Sequence, residues 1–224
     1  MLSIDNILTI AVPKGRIQYK LADYFNTYGI TMKEESRKLD YFDSTNKIRF
    51  LFVKNSDVPV YVKHGVADIG VSGSDVLYES QLDFLHLGTF PFGTTMICIA
   101  GYEKDKSLLE RAKHSDYFVK EIRVATKFIK FTRDYFLEKL IPVEIINLTG
   151  SVELAPILGL SDFIVDLVET GQTLKENNLS VLEQIGQTEV KLIANRSLYK
   201  LKFSQINKFS SLIRGRQINE EIYS

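Results

Sequence analysis

Two carboxylates, Asp166 and Glu169, run directly into Thr170, Gly171, Gln172 and Thr173 within the segment IVDLVETGQTL at 164–174. A buried strand over the apolar start of this segment would deliver both acids to the carboxyl edge of a sheet. There, residues 170–173 offer backbone N–H groups and two hydroxyls to one anion, because a glycine lets the chain come close and a following helix points its positive end at the site. The acids suit a sugar, since a carboxylate accepts hydrogen bonds from vicinal hydroxyls and repels a phosphate from the wrong place. A phosphate cradle beside an acidic pair describes a ribose 5-phosphate site. A Thr-Gly turn after a strand is, on its own, most often only a turn, so the rest of the chain must carry the argument.

A second group lies near the N-terminus. Lys14, Gly15 and Arg16 follow the apolar run ILTIAV at 7–12, which puts two cations around a glycine at a strand's carboxyl end, where ligands bind in open α/β sheets. That pairing suits a pyrophosphate, although a solvated basic turn is the default for such a triplet. Arg37, in the SRKL stretch at 36–39, sits in a polar connection and gains interest only beside other cations. Thr149, Gly150 and Ser151 form another small-residue turn after a strand and could share the first group's ligand. His64, His86 and His114 are too far apart for a local ligand motif. No nucleophile elbow or Cys–His pair points to covalent catalysis. Chemistry here would rest on electrostatics and positioning.

The elements that must hold these residues read as repeated α/β units. The periodicity predicts a strand over 7–12, a helix with Ile17, Leu21, Tyr24 and Phe25 on one face, a strand over 48–53, a helix over 56–64 and a short strand ending at Gly73. Alternation of this kind argues for a parallel sheet covered by helices. The apolar segment 89–100 is read as leaving one domain for another, and the mixed-charge region 101–120 as a solvated helix and loop. A second series follows: a strand over 122–126, a helix over 128–139, a strand over 143–148, a helix holding Glu153, and the strand that enters the acidic loop. Strands within 181–195 would return the chain to the first domain, and 197–216 reads as one C-terminal helix packed there. Its cations, Lys200, Lys202, Lys208, Arg214 and Arg216, meet no acid before Glu220, a basic face that suits solvent or a partner protein.

Composition sets the outer bounds. With 28 basic and 28 acidic residues, 45% hydrophobic and 25% charged, the chain has an ordinary globular composition and no net charge calling for nucleic acid or an anionic membrane. The single cysteine, Cys98, lies in an apolar run and reads as a small buried hydrophobe in a reducing compartment. No stretch reaches membrane-spanning length and no basic leader precedes the first strand, so a cytoplasmic location is expected.

Taken together, Glu153, Gly159, Ser161, Ile164, Asp166, Leu167, Thr170, Gly171, Thr173 and Leu174 fall at the spacing of a family signature. The chain resembles the ATP phosphoribosyltransferases, which open histidine biosynthesis. The blocks AVPKGR at 11–16, SRKL at 36–39, SDVPVYVKHGVADIGVSGSDVL at 56–77, ATKF at 125–128 and GSVELAP at 150–156 extend the resemblance over most of the sequence. Lys54 departs from it, standing where many relatives carry arginine; the charge is kept but bidentate geometry is lost, and Lys54 is left out of the catalytic set.

The resemblance implies a two-lobed α/β fold like the type II periplasmic binding proteins, with the active site in the interdomain cleft. Domain I would comprise 1–94 plus 189–224 and domain II 95–188. It implies the short form, without a C-terminal regulatory domain and dependent on a histidyl-tRNA-synthetase-like regulatory subunit in a hetero-octamer. The implied reaction joins N1 of ATP's adenine to C1 of phosphoribosyl pyrophosphate. Arg16 and Arg37 would then take the pyrophosphate, with Lys14 in support, and Asp166 and Glu169 the ribose hydroxyls. Thr170, Gly171, Gln172 and Thr173 would hold the 5-phosphate, and Gly150, Ser151 and Glu153 would line the site near sugar and adenine. Mg²⁺ would sit on the pyrophosphate rather than in a protein cage. Two rivals share parts of this pattern: a two-lobed binding module without catalysis, and a phosphoribosyltransferase for another base. Neither predicts the PKGR, SRKL and SDVP blocks together with the acidic loop.

Overall fold

The structure is a computed structural model that describes residues 7–34, 38–114 and 121–222. The chain divides into two compact units, Met1–Gly93 with Glu189–Ser224, and Thr94–Thr188. Among the described residues no helix is long and apolar enough to cross a membrane.

The first unit begins with β1 (Leu8–Pro13), α1 (Arg16–Asn26), β2 (Asp40–Asp43), β3 (Ile48–Val53), α2 (Val58–Lys63), β4 (Ile69–Gly73), α3 (Ser74–Ser80) and β5 (Leu85–Thr89). Strands β3, β1 and β4 run parallel, as the strand-helix alternation predicts. The alternation in β1 explains why helices cover both faces. Ile10 and Val12 enter one core with Leu21, Tyr24 and Phe25 of α1, while Ala11 enters another with Val58 and Val62 of α2. A central parallel strand buried on both sides needs apolar residues at successive positions, which is what ILTIAV supplies.

The second unit holds β6 (Thr95–Gly101), α4 (Lys106–His114), β7 (Ile122–Thr126), α5 (Ile129–Glu138), β8 (Val143–Asn147), α6 (Leu154–Ile157), β9 (Phe163–Val168), α7 (Gln172–Glu176) and β10 (Ser180–Thr188). Its sheet order is β10-β6-β9-β7-β8, with β9, β7 and β8 parallel and the β6 pairings antiparallel. One face packs on Leu109 of α4 and Phe136 of α5; the other packs on Val152, Ala155 and Leu174, beneath the loops after β8 and β9.

The chain then adds β11 (Val190–Ala194), α8 (Arg196–Leu201) and α9 (Phe203–Ile222) to the first unit. Strand β11 slots antiparallel between β4 and β5, completing the order β2-β3-β1-β4-β11-β5. Ile206, Phe209 and Ile213 of α9 close the first core.

Four sequence-based expectations need correction. Both sheets are mixed rather than parallel, because β2, β11, β6 and β10 pair antiparallel. Only β11 returns to the first unit; β10 stays in the second, its alternation satisfied against β6. The region 101–120 is not wholly solvated, since Leu109 and Ala112 of α4 are buried. The C-terminal segment is two helices broken at Lys202, and Leu201 beside the break is 80% exposed. Strands β2 and β5 went unread, β2 because the polar text DYFD gives no alternation.

Candidate active site

In the second unit the parallel trio β9-β7-β8 puts three loops at one carboxyl edge: 127–128 after β7, 148–153 after β8 and 169–171 after β9. The register fixes this, with Thr126 opposite both Val165 and Asn147. Below the loops, Val152, Val168 and Leu174 share one apolar cluster with Cys98, Ala125 and Ile164. Their burial turns the intervening residues outward, so Gly150, Ser151, Glu169, Thr170, Gln172 and Thr173 are exposed and Glu153 half-buried. Full burial of each such side chain is worth about 1.5–3 kcal/mol, enough to hold both loops on the sheet.

Gly171 has φ 70° and ψ 7° and precedes α7. The left-handed conformation costs an L residue about 1–2 kcal/mol, so glycine permits the turn. The turn is tightened by the Lys175 N–H donating to the Gly171 carbonyl at 3.0 Å, and by a long 3.4 Å contact from the Gln172 N–H to Thr170 Oγ1. Helix α7 spans only five residues. Its dipole is therefore slight, and the cradle's donors are individual N–H groups and hydroxyls rather than the end of a long helix. At the second turn Ser151 takes φ 47°, and its carbonyl accepts the Leu154 N–H at 3.1 Å.

Asp166 lies on β9 beside Cys98 of β6. Its Oδ1 is 3.1 Å from Lys127 Nζ. Oδ1 is buried, and the Lys127 ammonium is its ion-pair partner. Burial pushes the Cys98 thiol up from its ordinary pKa, in keeping with a small inert hydrophobe.

The first unit gathers the other candidates. After β1, the Lys14 N–H donates to the Val53 carbonyl at 2.9 Å, tying this turn to the end of β3. Gly15, at φ 100° and ψ −147°, opens α1 without a capping side chain. A Cβ there would meet nothing within 4 Å, so the demand for glycine comes from the backbone alone. Lys14, Gly15 and Arg16 are all exposed. Lys14 shares an open groove with Arg49, Lys54, Asp57 and Tyr61. Arg49 is committed to Asp40, with Nε and Nη2 at 2.8 and 2.6 Å from one carboxylate oxygen, which leaves Lys14 and Lys54 as the groove's available cations. Arg37 lies outside the described residues.

Lys14 and Arg16 thus belong to the first unit, and Gly150, Ser151, Glu153, Asp166, Glu169, Thr170, Gly171, Gln172 and Thr173 to the second. Two cations outside that set lie near members of it. Lys127 falls within the ATKF block, but its nearness to Asp166 follows from β7 lying beside β9, an adjacency that residue spacing does not reveal. Lys54, set aside for its headgroup, lines the same groove as Lys14. Among the described residues no group of three or more His, Cys, Asp or Glu side chains is assembled for a metal ion.

Comparison with known proteins identifies the family. Residues 54–215 match the family model described as "HisG: ATP phosphoribosyltransferase". A protein of Clostridioides difficile named ATP phosphoribosyltransferase is 42% identical over 207 residues, covering 92% of this chain and 96% of its own. A solved structure titled "ATP phosphoribosyl transferase (HisG:HisZ) complex", from Thermotoga maritima, superposes with a TM-score of 0.76 at 36% identity, covering 93% of this chain and 98% of that one. The alkanesulfonate-binding protein SsuA of Xanthomonas axonopodis pv. citri shares the fold alone, with a TM-score of 0.56 at 12% identity, covering 93% and 72%. The fold is the two-lobed α/β type seen in type II periplasmic binding proteins. By its sequence and its fold together, the chain belongs to the ATP phosphoribosyltransferase family.

Proposed function

We propose that this protein transfers the 5-phosphoribosyl group of phosphoribosyl pyrophosphate to N1 of the adenine of ATP, the first step of histidine biosynthesis. The observation that carries the reading is the loop pair anchored by Val152, Val168 and Leu174, which offers carboxylates, hydroxyls and N–H groups at one carboxyl edge of the sheet on a chain of this family.

The chemistry needs no covalent catalyst. The lone pair of adenine N1 forms the new bond to C1 of the ribose while the C1–O bond breaks and its electrons leave with pyrophosphate. N1 carries no proton in neutral adenine, so no general base is required. The barrier is electrostatic: positive charge builds on the ribose and negative charge on the leaving group. Arg16 and Arg37, supported by Lys14, take the leaving pyrophosphate, each arginine worth about 2–4 kcal/mol in the transition state. Asp166 and Glu169 accept hydrogen bonds from the ribose hydroxyls and favour the developing cation. Thr170, Gly171, Gln172 and Thr173 bind the 5-phosphate, and Gly150, Ser151 and Glu153 line the sugar and adenine end. Mg²⁺ arrives with the substrate, on its pyrophosphate oxygens, where this strongly hydrated ion keeps most of its water.

A HisZ-type regulatory subunit, like the one named in the Thermotoga maritima complex, is the partner expected for full activity and feedback in a hetero-octamer. The competing reading is a binding module without catalysis, favoured only by the fold shared with SsuA, and fold does not decide function. Incubation with ATP, phosphoribosyl pyrophosphate and Mg²⁺ separates the two. The proposal requires a product with the mass of ATP plus one phosphoribosyl group, attached at N1 by NMR; binding of phosphoribosyl pyrophosphate without ATP consumption, partner present, would favour the module.

A further inference from the structure

We infer that Lys127 is a positioning residue for the ribose carboxylate Asp166, an inference that rests on the phosphoribosyl transfer proposed above. Lys127 is fixed from both sides. Immediately before it, the fully buried Thr126 hydroxyl donates to the Val165 carbonyl at 2.7 Å and accepts the Phe128 N–H at 2.9 Å. That one hydroxyl bridges β7 to β9 and pins the turn that carries Lys127. The lysine's ammonium lies over the Phe128 ring, with Nζ 4.8 Å from its centroid. These contacts leave Nζ 3.1 Å from Asp166 Oδ1.

Two features of that contact point to a ligand. Oδ1 is buried against the Lys127 ammonium, while the Asp166 side chain as a whole stays 28% exposed, so one carboxylate oxygen is held by the lysine and the rest of the group stays open to a hydroxyl donor. A ribose hydroxyl is a donor of the right chemistry. The loop 169–173 also contains no cation, so Lys127 supplies the positive charge that holds Asp166 in place before the sugar enters. Lys127 acts through Asp166, not on the phosphate, because its ammonium is already engaged with that carboxylate.

The test is steady-state kinetics of the full chain with its HisZ-type partner, comparing Lys127→Met, Lys127→Arg, Asp166→Asn and the Lys127→Met/Asp166→Asn pair. Met keeps an unbranched side chain of similar length while removing the charge, and thermal melts of each variant verify folding. Lys127→Met is expected to raise KM for phosphoribosyl pyrophosphate about tenfold, the scale of the charge-assisted hydrogen bond from the ribose that a loosened Asp166 would lose, with KM for ATP unchanged. Lys127→Arg should recover most of the loss. In the Asp166→Asn background Lys127→Met should change KM less than about twofold, since coupled residues are not additive. An unchanged KM in Lys127→Met, or losses that multiply in the pair, would overturn the inference while an active wild type leaves the reaction standing. An inactive wild type, partner present, would remove the reaction and this inference with it.

Discussion

Lys202 Nζ lies 2.8 Å from Asp68 Oδ2 at the residue where the C-terminal segment breaks between α8 and α9. The same ammonium donates to the Ile7 carbonyl at 2.8 Å, and the same carboxylate oxygen accepts the Thr9 N–H at 2.8 Å. Asp68 is almost fully buried. The pair therefore fastens the start of α9 to β1, the strand that delivers Lys14 and Arg16.

Removing the lysine would strand a buried carboxylate. Lys202→Met should lower unfolding free energy by about 3 kcal/mol, the scale for breaking a buried pair from one side. Urea denaturation would read this as a lower midpoint at constant slope; an unchanged midpoint would show that the pair contributes nothing.

Acid sensitivity should come in part from Asp43. Burial works against its charge, but the Asn46 side chain and the Thr31, Asn46 and Thr45 N–H groups donate to it at 2.8 to 3.1 Å. Together they outweigh burial and hold the carboxyl below its ordinary value. The folded state then binds this proton less readily than the unfolded chain. Its contribution is complete above the ordinary Asp pKa of about 3.9 and is lost as pH falls through the lower folded value. Asp43→Asn should flatten the fall in melting temperature below about pH 4. An unaltered acid slope would rule this out.

Gly171→Ala isolates the backbone demand of the turn proposed to bind the 5-phosphate. A Cβ there would sit 3.8 Å from Val168 Cγ1, an ordinary contact, so the expected loss of about 1–2 kcal/mol is conformational. Displacement of the turn should raise KM for phosphoribosyl pyrophosphate about tenfold and spare KM for ATP. Equal effects on both substrates would place the turn elsewhere in the reaction.

Lys54 shares a groove with Lys14, which gives its headgroup a role to test. If Lys54 serves the leaving group with Lys14, Lys54→Ala should reduce kcat/KM by the equivalent of about 2 kcal/mol, and Lys54→Arg, which keeps the cation, should retain activity. No loss in Lys54→Ala would return it to the solvated surface.

How much of this was legible depended on where the information resides. The acidic loop could be read because Asp166, Glu169 and Gly171 are close in sequence, and chemistry and backbone demand coincide there. Strands buried on both faces, such as Leu8–Pro13, announce themselves as apolar runs. Pairing does not: whether β10 joined β6 or crossed with β11 depended on partners that its own alternation cannot specify. The nearness of Lys127 to Asp166 was hidden for the same reason, being a consequence of β7 and β9 lying side by side. The pairing of Lys202 with Asp68 was hidden likewise, the two lying 134 residues apart.

The most direct measurement is the initial rate of absorbance rise near the adenine band with ATP, phosphoribosyl pyrophosphate, Mg²⁺, pyrophosphatase and the HisZ-type partner, for wild type, Arg16→Ala and Arg37→Ala. Product formation should require both substrates and fall about 30- to 1,000-fold in each variant, the equivalent of 2–4 kcal/mol of leaving-group stabilisation. Wild-type silence with every component present, or arginine variants as fast as wild type, would contradict the account.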